Sequence, residues 1–171
     1  MNKVYDEILY NFFILFIFQL LVFNNIVFFN NYIPYIYIFF LITLPANTSN
    51  LFLILSAFVI GSIQDIFSGT IGIHSFATVF VAFVRPVILS LYTPLSKYDD
   101  NKFLYPGTYG INWFIKYSVT IIMLHSFVLY LIDSFDLTLI LSVFLKTFIS
   151  TLITWILGLA VVYGLIEKVR K

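Results

Sequence analysis

The sequence predicts an all-α polytopic membrane protein: a single integral-membrane domain over residues 1–171, with about six transmembrane helices. Three observations predict it. The chain is 61% hydrophobic and only 10% charged, where a soluble domain carries roughly a quarter charged residues. Its mean hydropathy is +1.03, so it cannot cover a water-facing surface and lipid must be its solvent. Its apolar residues also fall into long runs, several near the roughly 20 residues that one crossing needs, separated by Asn-, Gly- and Pro-rich breaks. The net charge of +1 offers no basic patch for nucleic acid. With no cysteine, disulfides and thiol chemistry are excluded. The abundance of Phe and Tyr fits the codon use of an AT-rich genome better than an aromatic binding site.

The first helix is expected over Val4–Phe23, with Gln19 its one strongly polar residue beyond the first two turns. Lys3 is offset by Asp6 and Glu7, and no small-residue cleavage site follows, so the run reads as an anchor rather than a cleavable signal. Asn24, Asn25, Asn30 and Asn31 mark a loop. Tyr32–Leu44 is the second predicted helix, short for a crossing, with Pro34 at its start and Pro45 past its end; a re-entrant segment is the alternative. Ser49 or Asn50 is the natural cap of the third helix, Leu51–Phe67, in which Ala57, Gly61 and Asp65 share one face. Small residues on that face admit a close neighbour. Ser68, Gly69 and Gly72 make the turn into the fourth helix, Ile73–Leu91, where Pro86 is expected to kink or end the regular part. A polar loop with Lys97, Asp99, Asp100 and Lys102 leads to the fifth helix, Trp113–Ile132, and Asp133–Asp136 turns the chain into the sixth, Leu137–Leu165. That last helix carries a stripe of Ser142, Lys146, Ser150, Thr154 and Gly158 at intervals of four.

No catalytic constellation is visible. Cys is absent, no Ser stands in a Gly-x-Ser-x-Gly elbow, and neither His74 nor His125 lies in a zinc-protease pattern. A metal held by Asp65, His74 and His125 is weighed at roughly one in twenty, because the pair of His has no ligand spacing. No cofactor is expected. Ionisable groups inside a membrane are expensive and need partners. Counted at 1.5 Å per residue, Asp65, His125 and Lys146 fall near one depth, about 21, 18 and 16 Å from the cytoplasmic face. They are expected to form one interior cluster with Asp65–Lys146 as its charged pair. Arg85, nearer that face, is expected to snorkel to the boundary. With six crossings, Lys3, the Lys97–Lys102 loop, Lys116 and the Lys168–Lys171 tail share one side, which places both termini in the cytoplasm.

Leu44-Pro45, the Gly61-x-x-x-Asp65-x-x-Ser68-Gly69 run, Gly72 opening a helix, Arg85-Pro86 and the basic C-terminal tail together resemble the rod-shape-determining MreD family. The resemblance covers the whole chain and is specific over Leu44–Pro86. At His125 the chain differs from relatives with an acidic residue. The resemblance implies a bacterial inner-membrane protein without enzymatic activity, a scaffold of the elongation machinery that inserts lateral-wall peptidoglycan. It implies an MreC-type partner with one membrane helix. Through that partner it implies links to the MreB filament and to RodA with its penicillin-binding transpeptidase. Gly61, Asp65, Ser68, Gly69, Gly72, Arg85, Pro86, His125 and Lys146 are then structural or partner-contacting residues. The family's fold is similar to the substrate-binding subunit of energy-coupling-factor transporters, which makes a small-solute, vitamin-type transporter subunit the alternative function. Such a subunit needs a polar, aromatic-lined pocket in the outward loops, and the turns Phe67–Gly72 and Asp133–Asp136 look too short to roof one.

Overall fold

Five helices are long and apolar enough to cross a membrane in the computed structural model, which describes residues 3–28, 32–93, 98–99 and 102–167. They are α1 (Lys3–Leu21), α3 (Asn50–Ser68), α4 (Ile73–Leu91), α6 (Ile111–Ser134) and α7 (Ile140–Val161). Two short helices, α2 (Phe39–Thr43) and α5 (Pro106–Tyr109), complete the α-helical set among the described residues. Asn30, Asn31, Lys97, Asp100 and the tail from Lys168 to Lys171 lie outside the described residues.

The helix ends follow local chemistry. Ser49 accepts from the Phe52 N–H at 3.4 Å to open α3, and Gly69, at φ +66°, closes it with its N–H on the Asp65 carbonyl. Gly72, at φ +79°, then turns the chain into α4. These left-handed positions suit a residue without a Cβ. Pro86 lies inside α4 and does not end it: the helix runs on to Leu91. At the α6–α7 connection Phe135 holds a left-handed φ of 45°. One Asp136 oxygen accepts from the Thr138 N–H at 2.8 Å and its hydroxyl at 2.7 Å, which holds that carboxyl below the usual carboxylate range.

From α3 onward consecutive long helices run antiparallel, with α3 against α4, α4 against α6 and α6 against α7, whereas α1 runs in the same direction as α3. One end of the bundle, the terminal end, gathers the start of α1 and the end of α7. The other, the turn end, carries the α3–α4 and α6–α7 turns. Leu9, Phe13 and Ile17 of α1, Leu55, Phe58 and Val59 of α3, and Leu141, Phe144 and Phe148 of α7 point outward and exposed. In water such faces would be ruinous; in a bilayer they meet lipid. At the terminal end the rings of Tyr98, Tyr109, Trp113 and Tyr117 stand in successive contact at 5.1–5.9 Å, and the Trp113 indole donates to the Tyr92 carbonyl at 2.5 Å. Amphipathic aromatics concentrate at membrane–water boundaries.

The stretch predicted as a second helix is corrected by the structure. Tyr32–Tyr35 is not helical; Ile36–Ile38 makes one tight turn, and only Phe39–Thr43 is α-helix. Tyr35 to Leu44 is buried throughout. The segment enters near the turn end, where Gln19 donates to the Pro34 carbonyl at 3.0 Å. It leaves near the terminal end, where Leu104 donates to the Thr43 carbonyl at 2.9 Å. It therefore runs end to end through the interior rather than re-entering. Thirteen helical residues would rise about 20 Å, whereas extended, tight-turn and α-helical pieces in this order reach up to about 30 Å, the thickness of the hydrocarbon core. Non-helical backbone at such depth is tolerated only where protein satisfies it. Here the Tyr35 N–H donates to Thr154 Oγ1 at 3.1 Å and the Tyr37 N–H to Gln19 Oε1 at 3.2 Å. Gly158 of α7 leaves room for the Phe39 ring, which a Cβ would strike.

Candidate functional site

The interior polar residues form three arrangements, two of them sharing His74, instead of one Asp65–His125–Lys146 cluster. The first surrounds Asp65. Its Oδ1 accepts from the Thr70 hydroxyl at 2.6 Å and the His74 N–H at 2.9 Å. Its Oδ2 accepts from the Ser75 hydroxyl at 2.6 Å and the Ser75 N–H at 3.0 Å. The two amides belong to the first turn of α4, where N–H groups have no intrahelical partner and the helix dipole favours negative charge. Gly72, at the cap position, offers no side chain to do this. Asp65 thus caps α4 from the neighbouring helix. Gly61 makes this possible: a Cβ there would lie 2.8 Å from the Ser75 N and 2.9 Å from the His74 O. Ser68 accepts from Gln64 Nε2 at 2.9 Å, and Gln64 Nε2 also donates to Asn24 Oδ1 at 2.9 Å, tying the end of α3 to the end of α1.

The second arrangement surrounds Arg85, which is fully buried and does not snorkel. Its Nε donates to the Tyr117 hydroxyl at 2.9 Å. One terminal nitrogen donates to the Leu44 carbonyl and, at 3.3 Å, to the Pro45 carbonyl. Tyr117 in turn donates to the Ile42 carbonyl at 3.2 Å. These carbonyls end α2, where the last C=O groups are unpaired and the dipole is negative. The expectation that Arg85 reaches the boundary fails because the end of α2 brings acceptors into the interior.

The third arrangement centres on Tyr37. Its hydroxyl lies 3.1 Å from His74 Nδ1 and 2.8 Å from His125 Nε2. A hydroxyl has one proton, so one ring accepts it and the other donates its N–H to the same oxygen. Tyr35 packs edge-on to both rings, with centroids at 5.2 and 5.9 Å. His125 therefore meets Tyr37 and not Asp65. Gln19, Tyr37 and Tyr35 were not singled out as a centre by the sequence, although Gln19 stood out as the lone polar residue of its run.

Lys146 belongs to none of these. It is exposed on α7, its amine 5.9 Å from the Tyr130 ring centroid. The expected Asp65–Lys146 pair and the three-residue cluster are thus overturned: Asp65 already receives four donors. The α7 stripe divides, with Ser150, Thr154 and Gly158 facing inward and Ser142 and Lys146 outward. Because the Asp65 carboxylate turns to the α4 backbone, it does not share a ligand set with the two imidazoles. Among the described residues, no group of three His, Cys, Asp or Glu converges. A recess at the turn end, between Gly69–Ile73 and Ile132 and Phe135, has Thr70 as its one polar lining side chain. No protein-family model, curated protein or solved structure matches the chain.

Proposed function

We propose that this multi-span membrane protein is a non-catalytic scaffold of the MreD type. In this reading it sits in a bacterial inner membrane, binds an MreC-type protein with one membrane helix, and helps to organise lateral-wall peptidoglycan synthesis. The observation that carries the reading is how the residues of the resemblance are used. Leu44-Pro45 and Arg85, 41 and 40 residues apart, are bonded to each other. Gly61 and Asp65 lock onto His74 and Ser75. Leu44, Pro45, Gly61, Asp65 and Arg85 hold a frame together and do not line the recess, of the resemblance only Gly69 and Gly72 doing so through their backbone, which supports a rigid platform over a solute carrier. The low polarity of that recess gives the vitamin-transporter alternative no support.

The test is clean deletion in the host together with affinity purification in mild detergent. Loss of normal cell width or elongation, with an MreC-type chain co-purifying, is expected. Normal shape with a vitamin uptake defect would replace this reading by the transporter one. The same reading puts the terminal end, with Lys102 and Lys116, in the cytoplasm. In the cysteine-free chain, Ile71→Cys, at a 99% exposed position of the turn end, should react with an impermeant maleimide added to intact spheroplasts. Thr108→Cys should not, and the reverse pattern would invert the topology.

A further inference from the structure

Helices α6 and α7 are pinned together at two levels. The Trp155 indole donates to Ser118 Oγ at 2.9 Å near the terminal end, and the Phe127 and Phe144 rings meet at 5.4 Å nearer the turn end. The buried side chains of these two helices include a polar set, His125, Ser126 and Tyr130 of α6 and Thr147, Ser150 and Thr151 of α7, all at most 6% exposed. His125 Nδ1, the Tyr130 hydroxyl and the hydroxyls of Ser126, Thr147, Ser150 and Thr151 have no hydrogen-bond partner among the described residues. The Tyr130 side chain leans back toward the start of its helix and approaches Ser150 and Tyr35.

Buried helix hydroxyls usually donate to a carbonyl one turn earlier. Others in this protein do so: Thr43 to Phe39, Thr78 to His74 and Ser118 to Phe114. The seam hydroxyls behave differently, and they do so together. Unpartnered buried polar groups are uncommon in folded proteins, and here six lie on two helices packed against each other. No carboxylate is among the six, so the seam lacks the anionic oxygens a hard cation favours. Water suits it: an internal water takes two to four polar partners and both donates and accepts.

We infer that the α6–α7 seam is an internal hydration site, in which ordered water bridges Ser126 and Tyr130 to Thr147, Ser150 and Thr151. Water at His125 Nδ1 joins this cluster to the Tyr37–His74 chain through the imidazole. The interface is then a wet joint inside an otherwise dry bundle.

The test is water-edited solid-state NMR on the full chain in phosphatidylcholine bilayers. Ser118 and Thr43 serve as equally buried references whose hydroxyls are closed on helix carbonyls. Transfer from water to Ser126, Thr147, Ser150 and Thr151 is expected to build up several-fold faster than to those references. Ser150→Ala should then slow the transfer to Tyr130. Build-up at the seam no faster than at Ser118 and Thr43 would overturn the inference without any variant. So would a folded Ser150→Ala protein in which transfer to Tyr130 is unchanged.

Discussion

Asp65 and Arg85 sit on neighbouring helices, carry opposite charges and are both buried, yet among the described residues neither is neutralised by the other or by any side-chain charge. Each is matched by the end of a helix. Asp65 receives the amides that begin α4, and Arg85 supplies protons to the carbonyls that end α2. The difference lies in reach. The partners of Asp65 are 5, 9 and 10 residues away, all within one hairpin. Those of Arg85 are 32, 40 and 41 residues away, on α6 and on the segment leaving α2. One site closes a local unit; the other joins units that sequence keeps apart. A membrane interior rewards this use of backbone, because helix ends supply partial charge with fewer ions to desolvate.

The largest effect is expected at Arg85. It is the bulkiest fully buried side chain among the described residues. Arg85→Ala removes that volume and leaves the Leu44 carbonyl without its donor, while the Pro45 carbonyl keeps Thr48, a loss of roughly 3–5 kcal/mol. Arg85→Lys should recover less than half of it, since an ammonium cannot reproduce the fork. Reversible unfolding in mixed micelles measures both. If the comparison holds, amides of His74 and Ser75 stay protected from hydrogen exchange in Arg85→Ala. Next comes Asp65→Asn. The His74 and Ser75 N–H groups reach different carboxylate oxygens, and in Asn one of those positions becomes an NH2 donor facing a donor, so a loss of about 2–3 kcal/mol is expected. Here exchange protection at those two amides should fall while the Leu104 amide, bonded to Thr43, keeps its own. Equal loss at both places would erase the local–distant distinction. Gly61→Ala should follow at about 1–3 kcal/mol, because the added methyl meets the Ser75 backbone and not a yielding side chain. Its unfolding midpoint should fall, and a neutral result would mean the α3–α4 spacing is slack. Smallest is Lys146→Met. It should stay below about 1 kcal/mol and add to Asp65→Asn without coupling, because the two groups share no partner. A coupling energy beyond about 1 kcal/mol would restore the discarded ion pair.

Much of the frame was legible in the residues. Asn- and Gly-rich breaks located the long helices, and the spacing of Gly61 and Asp65 identified the face of α3 that meets a close neighbour. The identity of Asp65's partner was not legible by matching side chains to side chains, since its main donors are backbone amides. A cue was present: α4 begins at Gly72, which cannot cap it, and a helix start without a local cap implies a remote one. Arg85 was misplaced for a related reason, as depth along a helix says nothing about carbonyls arriving from another segment. The Tyr32–Leu44 stretch was read as a helix because hydropathy registers apolar length alone. Its path depends on Gln19 and Thr154, which lie far away in sequence, although Gln19 was conspicuous in an apolar run. The Ser142–Gly158 stripe was real in spacing, but regular spacing could not tell which of its members face lipid.

The buried path from Tyr35 to Leu44 has a consequence for biogenesis. A chain is made from its N-terminus, and this segment emerges long before the residue that receives the Tyr35 amide. Gln19 is already present to hold Tyr37, but Thr154 of α7 is made 119 residues after Tyr35. Until α7 arrives, the stretch has an amide without its acceptor, and the space beside Phe39 lacks the Gly158 wall. The buried segment between α1 and α3 therefore settles only once α7 is made, and completion of that distant helix acts as its latch.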